Sequence, residues 1–369
     1  MPIDSYYGNP LLGHAEVPDA ELGAMMVGKV MRVAVVGAGA IGGITAAVLT
    51  RAGLDVEVVC KHQETVDRAL SSGLHVFGKR GDMHVPAKAV KNVADLSGPK
   101  DVVFLSTKAT EAVSAAGELL PFLHEDSVLV SLQNGICEEA IAKVVGRDRV
   151  IGCVVGWGAT MQGPAVLEMT SEGEFVIGNI DHKPDQRLPM IQELLEKTVP
   201  TRISDNIMGE LYAKLIINSC INSLGVLTGL RLGSMLAIRK AREIFVEIMR
   251  EAMAVAAALN IKVEPGGGGK LDYYHFLASK GRISSFKRHL MIRIIGFKYR
   301  RVKPSSLQSL ERGRTTEIDY LNGFICERGC EQGVLTPVND AVVAMVKEIE
   351  AGSRKVSPAN VNEPIFARM

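Results

Sequence analysis

No CxxC pair and no cysteine–histidine cluster with ligand spacing occurs in this sequence, although it holds six cysteines: Cys60, Cys137, Cys153, Cys220, Cys326 and Cys330. That argues against a structural zinc site, and no metal is expected. Cys326 and Cys330 stand four apart in a predicted helix, poor geometry for a disulfide. All six read as reduced thiols, which fits a cytoplasmic protein. No uninterrupted apolar run reaches the roughly 18 residues that a spanning helix needs, so stable membrane insertion is not expected. The first 30 residues lack a basic stretch followed by an apolar core, the mark of a secretory signal. Charge of either sign is not in excess: the net charge is +1, which gives no reason to expect a nucleic-acid partner. The single tryptophan, Trp157, reads as packing or a pocket wall, not a base-stacking platform. The histidines are dispersed, with no evident catalytic His/Asp pairing.

A real core is affordable: 47% of the 369 residues are hydrophobic and 22% charged, and the length suggests about two domains. Residues 1–30 show little periodicity and read as an extension, an arm or a leader. From Met31 the chain runs MRVAVVG, then the glycine turn, then the helical pattern ITAAVLTRAG, then the strand DVEVVC. Strand, glycine turn, helix and strand within about 30 residues make a βαβ unit of a parallel sheet. A hairpin is expected next, LHVFG and DMHVPAKAV around a turn at Lys79 to Gly81. DVVFLSTK, a helix and SVLVSLQNG continue the alternation. VIGCVVGWGATM, AVLEMTS and EFVIGNI read as successive antiparallel strands. From Asp205, placed as a helix cap, nearly everything reads helical. The expected fold class is therefore α/β: an open-sheet α/β domain over 31–204, followed by an all-helical domain over 205–352 with a basic segment near 265–303, and a tail over 353–369.

The turn Gly37-Ala38-Gly39-Ala40-Ile41-Gly42 fits G-x-G-x-x-G, and its place between strand and helix is the context that makes the motif informative. The glycines allow close backbone approach to a pyrophosphate, which the helix N-terminus attracts. The second strand ends Cys60-Lys61-His62-Gln63, without the carboxylate that would hold a ribose 2′-hydroxyl. Lys61 can meet a 2′-phosphate, so NADP(H) is favoured and NAD(H) is not excluded. Lys108 and Asn134 end strands, where ligands of open α/β sheets bind; each also suits a plain strand-end turn.

In AKLIINSCINSLG, residues 213–225, Lys214, Asn218 and Asn222 recur every four residues among apolar neighbours. At about 100° per residue they form one polar stripe on a helix. Buried amides and a buried ammonium need partners. Interhelical hydrogen bonds, a lysine reaching out to water and the wall of a ligand cleft all satisfy that need. Ser305 and Glu317, far downstream, are candidate partners.

Taken together, GAGAIG, STKAT, LQNG, AKLIINSCIN and SSLQSLERGRTTEID, in that order over about residues 31–350, resemble the ketopantoate reductases (2-dehydropantoate 2-reductases). The resemblance implies substrate and nicotinamide in a cleft between a Rossmann domain and a helical domain. It implies Lys214 as catalytic lysine, Glu317 as the active-site acid, and Asn218, Asn222 and Ser305 as substrate contacts. It further implies Lys108 and Asn134 on the cofactor side, Lys61 at the 2′-phosphate, a 2-oxo acid as substrate, and a homodimer.

Three departures bear on the substrate: the 30-residue extension, Ser309 where many relatives carry aspartate, and the segment 265–303. That segment holds ten Lys/Arg against one acid, Asp272. It reads as a solvated helical hairpin, a dimer element, a lid over the pocket, or, through RHLMIRIIGFKYRR, an amphipathic contact with a membrane or anionic partner. A dehydrogenase for a bulkier oxo or hydroxy acid is the enzyme alternative; a nucleotide-binding regulator without turnover is the non-enzyme one.

Overall fold

The structure is a computed structural model and describes residues 31–278 and 281–368. The expectations for residues 1–30 lie outside the described residues.

The chain opens on strand β1 (Arg32–Val36), helix α1 (Ala40–Arg51) and strand β2 (Asp55–Val59), with β1 and β2 parallel. Both faces of β1 are buried: Val33 and Val35 join one apolar cluster, Ala34 and Val36 another. That is why the strand reads as an unbroken apolar run and not as an alternation. Helix α2 (Gln63–Ser72), strands β3 (Leu74–Gly78), β4 (Met83–Val85), β5 (Lys88–Val90) and β6 (Lys100–Leu105), helix α3 (Ala109–Leu119), strand β7 (Leu123–Ser131), helix α4 (Glu138–Val145) and strand β8 (Val150–Val155) follow. Next come β9 (Gly158–Gly163), β10 (Val166–Ser171), β11 (Phe175–Asn179), α5 (Leu188–Glu196) and β12 (Thr201–Ile203). The main sheet has the order β12-β11-β8-β7-β6-β1-β2-β5, and a smaller one the order β4-β3-β10-β9.

Two expectations about strands need correction. The hairpin is real only as far as Val85, where β4 pairs antiparallel with β3; Lys88–Val90 leaves it and joins β2 in the main sheet. Pro86 stands at the break, where it cannot donate to a ladder. The strands of 150–180 are not one antiparallel series either. β8 runs antiparallel to β11 in the main sheet, and β9 antiparallel to β10 in the small one. VIGCVVGWGATM is split at Gly156, whose N–H donates to the Glu174 carbonyl (2.8 Å). Trp157 is buried edge-on to Phe175, as packing.

Helix α6 (Ile207–Thr228) follows, capped by Asn206 and not by Asp205. Asn206 has the last non-helical backbone, and its Oδ1 accepts from the Gly209 N–H (3.2 Å). α6 is the one helix among the described residues long and apolar enough to cross a membrane, yet 78% of its most apolar window is buried inside the protein. It is the axle of the helical region. Around it lie α7 (Leu232–Ala237), α8 (Arg239–Ala258), α9 (Tyr273–Ala278), α10 (Arg282–Lys298), α11 (Ser305–Glu311), α12 (Asn322–Gln332) and α13 (Pro337–Glu350). One apolar cluster runs from Ala34 and Val36 of β1 through α3 and α4 into α6, α8 and α13, so sheet and helices share a core.

The tail is a docked element. The Leu227 carbonyl near the end of α6 accepts from the Ser357 N–H (3.1 Å) and from Asn360 Nδ2 (2.9 Å), while Val361 and Phe366 are fully buried.

Candidate active site

The carboxyl ends of β1, β6 and β7 lie side by side in the sheet, and the chain leaves each of them through a turn that carries candidate residues. After β1, Gly37 has φ +106°, and a Cβ there would lie 2.7 Å from the Ser106 and Thr107 backbone. Only glycine fits that conformation and that approach. Gly39, extended at the start of α1, borders open space: no atom lies within 4 Å of where its Cβ would be. A Cβ on Gly42 would lie 2.2 Å from the Gly37 carbonyl oxygen, so the turn folds tightly back on its own helix. Ala38 is buried beneath the turn, while Ala40 and Ile41 begin α1 with no acid in the first turn. The result is an open cradle at a positive helix end, which fits a pyrophosphate.

Lys61, exposed just beyond β2, pairs with Glu111 from the first turn of α3. This corrects the sequence-based expectation that no carboxylate reaches the second strand's end. Glu111 arrives from 50 residues away.

Lys108 caps α3 with an extended backbone, and Glu317 reaches the same helix end: its Oε1 accepts from the Ala109 N–H (3.4 Å). Burial raises the Glu317 carboxyl above its ordinary range, against the pull of that N–H, Lys108, Lys214 and Asn134. Asn134 and Gly135 form the turn after β7. Gly135 has φ +89°, and a Cβ there would lie 2.6 Å from the Tyr320 carbonyl oxygen. The turn is thus pressed against the single 3₁₀ turn Ile318–Tyr320 that directly follows Glu317.

Lys214 stands on α6 with part of its surface exposed and interacts electrostatically with Glu317 and Glu138. Burial pulls its ammonium down to about 8, while Glu317 and Glu138 favour its charged form. Glu138 is a residue the sequence reading missed. It opens α4, is 1% exposed, and burial raises its carboxyl to about 7 despite the helix-end amides, Ser131 and Lys214. The signal available was weak: two acids in a helix's first turn, a common pattern on surfaces.

The stripe divides. Lys214 belongs to the electrostatic group. Asn218 is partly exposed on the same helix face. Asn222 is buried, and its Oδ1 accepts from both the N–H and the Oγ–H of Ser305 (3.0 Å each). For Asn222 the structure therefore supplies the interhelical hydrogen bond, holding the first residue of α11. Two His/Asp pairs exist away from the candidate residues: His124 with Asp101 (3.1 Å) and His75 with Asp82 (2.9 Å). His124 and Asp101 lie near the starts of β7 and β6, at the sheet end opposite the turns that carry the candidate residues. His75, Asp82 and His84 come together by β3–β4 pairing, with ligand atoms within 4.8 Å of one another, a grouping invisible in spacing alone.

Comparison with known proteins identifies the family. The family model described as "Ketopantoate reductase PanE/ApbA" matches residues 33–182, and its "C terminal" companion matches residues 206–350. The 2-dehydropantoate 2-reductase of Aquifex aeolicus is 28% identical over 87% of this chain and 97% of its own length. That of Pyrococcus horikoshii is 28% identical over 87% and 98%. Among solved structures, the PanE/ApbA family ketopantoate reductase from Ralstonia eutropha superposes with a TM-score of 0.74 at 29% identity, over 88% of this chain and all of that one. A D-mandelate dehydrogenase bound to NADH and anilino(oxo)acetate shares the fold (TM-score 0.74, 23% identity, 87% and 99% coverage). With both family models matched in order along the cradle and the lysine helix, this chain belongs to the ketopantoate reductase PanE/ApbA family of oxidoreductases.

Proposed function

We propose that the protein reduces a 2-oxo acid to the 2-hydroxy acid with NADPH, ketopantoate to pantoate being the first candidate. The observation that carries this reading is that Lys214 and Glu317 stand in electrostatic reach of each other, with Glu317 on the Ala109 N–H at the start of the helix that follows β6, the strand beside β1 and its glycine turn. In this reading residues 31–204 hold the cofactor and 205–352 the substrate. The Gly37–Gly42 turn would hold the pyrophosphate, Lys61 the 2′-phosphate, and Lys108 and Asn134 the nicotinamide side. When bound, the nicotinamide supplies the hydride.

The chain's own residues do the rest. Negative charge develops on the ketone oxygen during reduction, and Lys214 stabilises it and donates the proton. An ammonium drawn down to about 8 is still mostly protonated at neutral pH and is a stronger acid than a free lysine. Glu317 keeps that ammonium charged and directed into the cleft. Asn218 and Ser305 contact the substrate, and Asn222 acts by holding Ser305. Six free cysteines accord with a reducing, cytoplasmic setting. Pairing of two copies through the helical region is part of the proposal and is checked by light scattering.

The test is loss of reduced-nicotinamide absorbance with ketopantoate and a panel of larger 2-oxo acids, using NADPH and then NADH. A selective rate with ketopantoate supports the reading. The basic segment that leads directly into Ser305 favours a second one, a bulkier oxo acid, and activity only on larger acids would select it. Tight NADPH binding without turnover on any acid would sink both.

A further inference from the structure

Helix α10 exposes a row of large apolar side chains. Ile283 is 74% exposed, Phe286 68%, Leu290 46%, Ile294 61% and Phe297 69%. At about 100° per residue these five positions fall within an arc of roughly 80°. Arg288, Ile292 and Gly296 lie on the opposite face and are buried. A Cβ on Gly296 would lie 2.8 Å from Leu236 Cβ, so that face is seated on α7. The outer ridge is flanked by Lys287 and Lys298 on one side and Arg293 on the other. Arg300 lies over the Phe297 ring (4.9 Å) and Lys298 over Tyr299 (5.4 Å), joining cations to aromatics at the helix end. Scattered exposed apolar residues need no explanation, but a continuous ridge marks a contact surface.

The charge pattern indicates what covers it. Between Asp272 and Glu311 the sequence has nine Lys/Arg and no acid. A second copy meeting the ridge on itself would set like charges against one another with no carboxylate in the segment to offset them. The ridge is also convex, whereas an apolar peptide is bound in a groove. A bilayer surface accepts a convex apolar ridge among its acyl chains while its anionic headgroups meet the flanking cations.

We propose that α10 is an interfacial helix that seats this protein on an anionic lipid surface. It lies on the surface and does not span it. The Val302 carbonyl accepts from the Leu232 N–H (3.0 Å) and Arg231 holds the Arg301 carbonyl (2.8 Å), so the docked helix is tied to the segment that enters Ser305. Docking would therefore bring the substrate side of the cleft near the lipid.

The experiment is flotation of the full-length protein with vesicles of phosphatidylglycerol and phosphatidylcholine, and with phosphatidylcholine alone. Binding is expected to the anionic vesicles and to weaken in high salt. The double variant Ile294→Asp/Phe297→Asp should lose at least about tenfold in binding, and so should Lys287→Glu/Arg293→Glu/Lys298→Glu, which leaves the ridge intact. Unchanged circular dichroism and thermal midpoint show that the variants fold. No binding to anionic vesicles, or equal binding by wild type and ridge variant, overturns the proposal. If the ridge variant instead turns a wild-type dimer into a monomer, without vesicle binding by either, the ridge is an interface between copies.

Discussion

Lys214 is the residue on which the chemical reading turns. Lys214→Ala should lower kcat by about a thousandfold, the scale of losing a general acid, while NADPH affinity measured by fluorescence changes little. Survival of turnover would remove Lys214 from proton transfer. The wild-type rate of reduction should fall as pH rises through about 8, because the deprotonated amine has no proton to give. In the proposed mechanism Glu138 acts through Lys214 as a positioning charge. It raises the lysine's pKa, so Glu138→Gln should move that alkaline limb to lower pH. A limb that stays in place would leave Glu138 a packing residue. In the proposed cofactor site, Glu111, which pairs with Lys61, would compete with a 2′-phosphate for it. Lys61→Glu should weaken NADPH more than NADH, and Glu111→Gln should strengthen NADPH; equal effects on both cofactors would take this pair out of the phosphate site. Lys61, Lys108 and Lys214 were legible as isolated residues because each closely follows a strand or recurs at helical spacing. Their acidic partners were not, since Glu317 meets the Ala109 N–H across 208 residues of chain.

Among the elements, α6 and α11 meet through an unusually close contact. A Cβ on Gly225 would lie 2.5 Å from Pro304 Cγ, next to the Asn222–Ser305 hydrogen bonds. Gly225→Val should therefore push α11 away, costing about 1–3 kcal/mol of stability in urea unfolding. KM for the oxo acid should rise more than kcat falls, because Ser305 moves while Lys214 stays. A variant of wild-type stability and KM would show that the contact gives way freely. Periodicity exposes the stripe on α6, yet it cannot say which of its residues faces the cleft and which grips a neighbouring helix. Asn218 and Asn222 are the same residue type one turn apart, and only the arrival of Ser305 separates them.

At the scale of the whole molecule, the last residues belong to the core. Phe366 is fully buried and Asn360 holds the Leu227 carbonyl, so the tail closes the end of α6. Phe366→Ala should cost about 3–5 kcal/mol, the usual range for a buried phenylalanine. A thermal midpoint close to wild type would mean that the tail's packing is replaceable. Sequence reading places these residues beyond the last helix as a tail, because a short 3₁₀ segment carries no repeat long enough to show a face.

From the sequence alone followed what depends on neighbours a few residues apart: the valine-rich strand, the glycine turn and helix, the four-residue recurrence of Lys214, Asn218 and Asn222, and the basic run with its apolar residues. Backbone sterics and the strand and helix periods are local, so these survive in one dimension. Only the tertiary structure decided which charges meet and which surfaces stay open. It brought Glu138 and Glu317 to Lys214, set Glu111 on Lys61, gave Asn222 to Ser305, and turned one face of α10 inward and the other to solvent. Those outcomes depend on chain crossings and on solvent exclusion around each group, which no short window of sequence contains.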